Sequence, residues 1–379
     1  MIGINMKGFG AICSLLFVSL LAIGLAASTA APALAGNGSF STTGSMNVAR
    51  DGATANLLQN GEVLVTGGYN YTDGYLTSTE LYNPATGKWT FTGSLPKPRS
   101  SPSVLLQNGE VLLAGGIDDS VNSNIGLTSA ELYNPSTGAW TATGSMTTPR
   151  TGLALVLLQN GEVLAAGGDQ APGSQTPSTA ELYNPATGTW TATGNMTTAA
   201  STASAVLLQN GDVFVNNIDI YHPATGTFTA ISAPAPSGVG GPVGLVLNGS
   251  VLTFGGRFGG GIFNPSTNQW TTYPQPPCDT SSQNCGSGAA LLKTGKLLVA
   301  GGITKVNAQP YPIDETNGLA ELFNPSTLTW TSTGSMKKDR IGQSMTLLPN
   351  GQVLAAGGES FDKGVGALRP IASAEIYTP

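Results

Sequence analysis

Apolar and polar positions alternate in short blocks along this chain, and one block returns seven times. "LLQNGEVLVTGG" (57–68) reappears as "LLQNGEVLLAGG" (105–116) and "LLQNGEVLAAGG" (157–168), followed by looser copies such as "LVLNGSVLTFGG" and "LLPNGQVLAAGG". Asn-Gly between two apolar runs predicts a two-residue β-hairpin in which both turn residues take positive φ. The second run is apolar almost throughout, as in a strand covered on both faces. The glycine pairs, Gly67 and Gly68, Gly115 and Gly116, Gly167 and Gly168, Gly301 and Gly302, are expected to end it where positive φ or close approach of a neighbour is required.

A second phrase follows at a variable distance: "TELYNPATGKW" (79–89), "AELYNPSTGAW" (130–140), "AELYNPATGTW" (180–190) and "AELFNPSTLTW" (320–330). It predicts a third strand ending at Tyr82, Tyr133 or Tyr183, an Asn-Pro turn, and a fourth strand starting at Trp89, Trp140, Trp190 or Trp330. The tryptophans lie 51 and then 50 residues apart in the first three copies. Four short antiparallel strands in such a period make one propeller blade. No window carries sustained apolar residues at i, i+3, i+4 and i+7, so the chain reads as all-β.

Four apolar residues with Gly-Gly, then a spaced Tyr, then a Trp six or seven residues on, resemble the kelch repeat over essentially all of 38–379. The resemblance implies a kelch-type β-propeller. The second-strand phrase occurs seven times, six of them ending in Gly-Gly, but complete tails occur only six times, because the last, "AEIYTP", stops at Pro379. "GSFSTTGSM" (38–46) matches the missing piece, with Phe40 in the Trp position. The expected domain is therefore a seven-bladed propeller over 36–379, its last blade closed by an N-terminal strand at about 38–43. Two departures fall in the fourth copy: Asn216 and Asn217 replace the glycine pair, and Phe228 replaces the Trp.

Composition changes this picture at the N-terminus. Residues 1–35 read as a secretory signal peptide: Lys7, an apolar core from Ala11 to Ala27, and "APALA" ending at Ala35. Translation could equally begin at Met6, and an uncleaved membrane anchor is the alternative. Cleavage would leave 14 basic and 21 acidic residues, a net −7. Charged residues are only 9% of the chain, against about 25% in ordinary soluble domains. There is no concentrated basic patch, so nucleic acid is not an expected partner. Cys278 and Cys285, in "CDTSSQNC", are expected to form a loop disulfide in an exported chain. The localisation expected is extracytoplasmic, as a monomer without a membrane span after cleavage.

Candidate chemistry is sparse. The hairpin turns barely vary between copies and read as scaffold, whereas the loops after Gly-Gly vary and define one face where a site would be built. Arg50, Arg99, Arg150 and Arg340 arrive at equivalent places just before the first strand of a blade. By resemblance to kelch domains that bind peptides, they would line the channel mouth and hold carboxylates. The other reading is a structural ion pair with Glu80, Glu131, Glu181 and Glu375; blade six keeps Glu321 without the arginine. Tyr69, Tyr71 and Tyr75 form a candidate stacking surface for a sugar or peptide. The loop acids Asp118, Asp119, Asp169, Asp314, Glu315, Glu359 and Asp362 lack ordered Ca²⁺-ligand spacing and read as solvated loops.

Some secreted kelch-like propellers carry a copper oxidase site of histidines, tyrosines and a cysteine. Here the only histidine, His222, stands at the Asn of a tail turn, so neither a two-His metal site nor a His-based triad is available. No cofactor, no metal and no catalytic residue are expected. The reading is a binding module for a protein, peptide or glycan; the alternative, by resemblance, is a mutarotase acting on sialic acid-type sugars.

Overall fold

The computed structural model describes residues 38–118, 125–170, 176–233, 235–236, 242–244, 249–254, 260–277, 283–306 and 313–379. The expected signal peptide and Cys278 lie outside the described residues, as do the side chain of Cys285 and residue Asp119. Seven four-stranded antiparallel sheets follow one another. Blade one consists, from inside out, of Thr54–Leu57, Val63–Thr66, Thr79–Asn83 and Lys88–Phe91. Its inner strand packs against those of blade two (Ser103–Leu105) and blade seven (Ser344–Leu347), and the remaining inner strands continue the ring without a gap.

The last blade takes its outer strand from the other end of the chain. Ser39–Thr42 pairs antiparallel with Ala374–Thr378, setting Phe40 opposite Tyr377 with ring centroids 5.0 Å apart. Tyr82 and Trp89 also sit 5.0 Å apart, so Phe40 occupies the tryptophan's place.

Packing explains the apolar second strands. Val63 and Val65 join the cluster facing blade seven, while Leu64 joins the cluster facing blade two. In blade three, Val163 and Ala165 face blade two, and Leu164 and Ala166 face blade four. Alternate side chains of one strand thus fill two interfaces, and each pair of neighbouring blades has its own apolar cluster.

The hairpin turns differ from the two-residue form expected. Leu58 N donates to Glu62 O, Gly61 N donates to Leu58 O, and only Gly61 takes positive φ (86°). This is a three-residue loop, a type I turn closed by one left-handed glycine. Asn60 stays out of the left-handed region because its Oδ1 accepts the Glu62 amide at 3.0 Å, an Asx turn. Asn108, Asn160, Asn210 and Asn350 do the same. The preceding glutamine ties blades together: Gln59 Nε2 donates to Gln107 O, Gln107 to Gln159 O, and Gln159 to Gln209 O, at 3.2–3.3 Å.

The glycine pairs are required by close backbone approach, the first from the next blade and the second from the blade's own incoming segment. A Cβ on Gly67 would stand 2.3 Å from Arg99 O, and one on Gly68 would stand 2.6 Å from Asp51 O. Both residues have positive φ, at 61° and 91°. Asn216 and Asn217 keep that conformation at 52° and 59°, which asparagine tolerates better than other non-glycine residues. Blade six departs from the expected pattern, because its second strand runs through the pair as Leu297–Val306 with a register shift there.

Candidate functional site

Both hairpin turns of a blade lie on one face of the disc, where Asn83 Nδ2 reaches Glu62 Oε1 at 3.4 Å. His222 takes the asparagine's place in blade four. Its Nδ1 stands 3.0 Å from Asp212 Oδ1 and its Nε2 2.8 Å from Thr229 Oγ1. The sole histidine of the chain therefore belongs to the constant face.

The four arginines are buried, each 0–1% exposed. Arg50 Nη1 donates to Gly67 O (2.7 Å) and Ser78 O (2.9 Å), and Nη2 to Ser78 Oγ (3.0 Å) and Glu80 Oε1 (2.9 Å). Arg99, Arg150 and Arg340 repeat this set on Glu131, Glu181 and Glu375 at 2.9, 3.1 and 2.9 Å. Meanwhile each arginine's carbonyl accepts from the previous blade, as in Gly68 N to Arg99 O and Gly358 N to Arg50 O, both 3.0 Å. The carboxylate completes the clamp by accepting amides of the incoming connection, Asn47 and Val48 in blade one. Burial lowers the affinity of these guanidinium groups for their proton, and the facing glutamate opposes that. A ligand contact needs guanidinium groups that reach solvent at the channel mouth. These are spent inside the wall between blades, so the structural pairing accounts for the motif.

On the variable face the three tyrosines do come together. Tyr69 and Tyr75 face each other across a small hairpin (Tyr69–Asn70 with Gly74–Tyr75), with centroids 5.3 Å apart. Tyr71 stands edge-on to Tyr69 at 5.6 Å and is 53% exposed. It also reaches blade seven. Its hydroxyl donates to Glu359 Oε1 at 3.2 Å, and the Arg369 guanidinium lies 4.9 Å over its ring. Arg369 comes from the hairpin Glu359–Asp362 with Ala367–Pro370. Below, Asp51 pairs its backbone with Tyr69. Burial, and then the negative charge of Glu359, push the Asp51 carboxyl up to about 7, and burial also raises Glu359.

The loop acids take separate tasks. Asp169 accepts from Thr176 Oγ1 at 2.9 Å, Asp362 accepts from Gly364 N at 2.8 Å, and Glu315 stands 3.4 Å from Lys363 Nζ. Asp118 is buried. Among the described residues, no three His, Cys, Asp or Glu side chains converge as a metal site.

Sequence reasoning missed Asp51, Glu359 as a partner of Tyr71, Arg369, and a lysine group at Lys337, Lys338 and Lys363. A signal existed for some of them. Asp51 stands where other copies have Ser100, Thr151 and Ile341, and Lys337-Lys338 stands where blade three has Thr147-Thr148.

The family profile of the Kelch motif matches residues 56–96 and 98–147, the first two repeats. No curated protein matches the sequence. Among solved structures, a fungal alcohol oxidase, described as having catalytic diversity among the AA5 family and in complex with copper, superposes with a TM-score of 0.62. That match covers 91% of this chain and 77% of the oxidase at 18% identity, so what the two share is the fold.

Proposed function

The chain belongs to the kelch-repeat β-propellers, and on that premise we propose that it is a non-catalytic binding module acting outside the cytoplasm. Its ligand, a protein, peptide or glycan, is held on the variable face. The observation carrying this reading is the division between the two faces. The constant face is closed by repeated internal bonds, whereas the variable face gathers exposed Tyr71, Arg369 and lysines that the repeat does not use. The extracytoplasmic assignment rests on the apolar N-terminal segment and "APALA". Mass spectrometry of the exported protein should find an N-terminus at Gly36, and a retained segment overturns that part.

A glycan and peptide array tests the binding reading. Binding should weaken at least tenfold in Tyr71→Ala, and a silent array overturns it. A sugar mutarotase is the second reading, favoured by the placement of Asp51 beneath the tyrosine cluster, where burial and the Glu359 charge push its carboxyl up to about 7, a value suited to proton transfer at neutral pH. Exchange NMR of free sialic acid anomers decides it, because catalysis through that carboxyl must vanish in Asp51→Asn.

A further inference from the structure

Blades six and seven leave between them a cavity of about 330 Å³ on the variable face, at the small end of the range for ligand pockets. Three lysines line it: Lys337 and Lys338 from the connection between the blades, and Lys363 from the tip of the blade-seven hairpin. The chain has only 15 basic residues, four of them sealed in the arginine clamps, so three in one cleft is a concentration. The clamp itself builds this wall. Glu375, held by Arg340, accepts the Lys337 and Lys338 amides at 2.7 and 2.9 Å and fixes the backbone, while both side chains stay exposed.

Blade six contributes Glu315, 3.4 Å from Lys363, and the lysines' own connection adds Asp339, whose carboxyl burial raises above its ordinary value. Three lysines against two acids leave the cleft cationic by one charge. Among the described residues, Lys337 and Lys338 have no acidic side chain within salt-bridge distance. Thr316 and Ser360, nearly buried, form a hydroxyl floor that is braced by Phe361 N donating to Thr316 Oγ1 at 3.0 Å. Phe361 adds an apolar surface to the same cavity.

We propose that this cleft binds the carboxylate-bearing ring of an acidic saccharide, with Lys337 and Lys338 on the carboxylate. One such ring presents what the cleft is divided to receive. Its carboxylate meets a pair of ammonium groups, its hydroxyls meet Glu315, Asp339 and the hydroxyl floor, and its C–H face meets Phe361. Lysine serves here as a point charge and needs no bidentate geometry. Because the two lysines are exposed, binding weakens with ionic strength.

This rests on the variable face being the ligand face, and the test separates the two. Calorimetry of the whole protein is run with D-galacturonate, D-glucuronate, D-glucose and N-acetyl-aspartate at 50 and 500 mM NaCl. A uronate should bind at least tenfold more tightly than either control, lose that margin at high salt, and lose at least tenfold in affinity in Lys337→Gln/Lys338→Gln. Equal binding of N-acetyl-aspartate overturns the saccharide in favour of an acidic peptide, and equal binding of glucose overturns the charge. Undiminished binding by the double variant, with its melting temperature unchanged, overturns the site. Array hits that survive in that variant overturn this inference alone, whereas a silent array with no uronate binding removes both.

Discussion

Blades three and six carry the same glutamate in the same register, and they treat it in opposite ways. Glu181 lies opposite Ala192 and accepts from Arg150, from the Thr147 amide and hydroxyl, and from the Thr148 amide. Glu321 lies opposite Ser332 and accepts its hydroxyl at 3.0 Å, while its other oxygen has no partner among the described residues. Burial accordingly raises the Glu321 carboxyl. Both are at most 3% exposed. The phrase "AEL" fixes where the acid sits, but its partner arrives from the preceding connection. No arginine lies in the sequence between Arg257 and Arg340, so blade six has none to offer at that place.

The largest effect should follow from breaking the paired case. Arg150→Ala removes five donated bonds and leaves Glu181 charged in the wall between blades. Stripping one member of a buried pair costs about 3–5 kcal/mol, read as a fall in the unfolding midpoint in urea. An Arg150→Ala protein that melts within a degree or two of the parent would mean that the clamp carries no stability. The wall would then owe its strength to the apolar clusters alone.

The second effect concerns another acid without a paired charge. Asp51 has one carboxylate oxygen that is buried and unpartnered among the described residues, and its carboxyl is pushed up to about 7. The folded value lies above the ordinary unfolded value of about 3.9. Its contribution is therefore complete below about pH 4 and is lost as pH rises toward 7 and beyond. At 1.36 kcal/mol per unit the loss is bounded near 4 kcal/mol, shared with Glu359, which shifts the same way. Chemical unfolding at pH 4.5 and 8 should show stability falling with pH, and Asp51→Asn should flatten that slope. A slope unchanged in Asp51→Asn assigns it to other groups.

Legibility in the sequence followed the repeats. The blades, their number and the closure through Phe40 are visible because each depends on local periodicity and on counting copies. The turn departs from the expected type because Asn60 finds its partner two residues ahead, which makes a second positive φ unnecessary. For the arginines, the recurrence of Glu80, Glu131, Glu181 and Glu375 beside them held the pairing in view, but burial is a property of neighbouring blades. The Tyr71 contacts and the lysine cleft join segments that do not recur, and nothing periodic connects Glu359 or Lys363 to them.

The smallest effect completes the contrast between blades. Glu181→Gln should destabilise by a few kcal/mol, because Arg150 keeps its charge in a buried place without a full counter-charge. Glu321→Gln should be neutral, or stabilising by about 1 kcal/mol at pH 7.5, since it removes a charge that its surroundings disfavour. Ser332 Oγ can still donate to the amide oxygen. The same sign rule applies as for Asp51: the raised carboxyl costs stability only where it is ionised, so the two proteins should converge as pH falls through the ordinary glutamate range near 4.3. Melting curves of both variants at pH 7.5 and 4 measure this. A loss in Glu321→Gln at pH 7.5 as large as that in Glu181→Gln would place a cation beside blade six, and the two blades would then differ only in where their positive charge comes from.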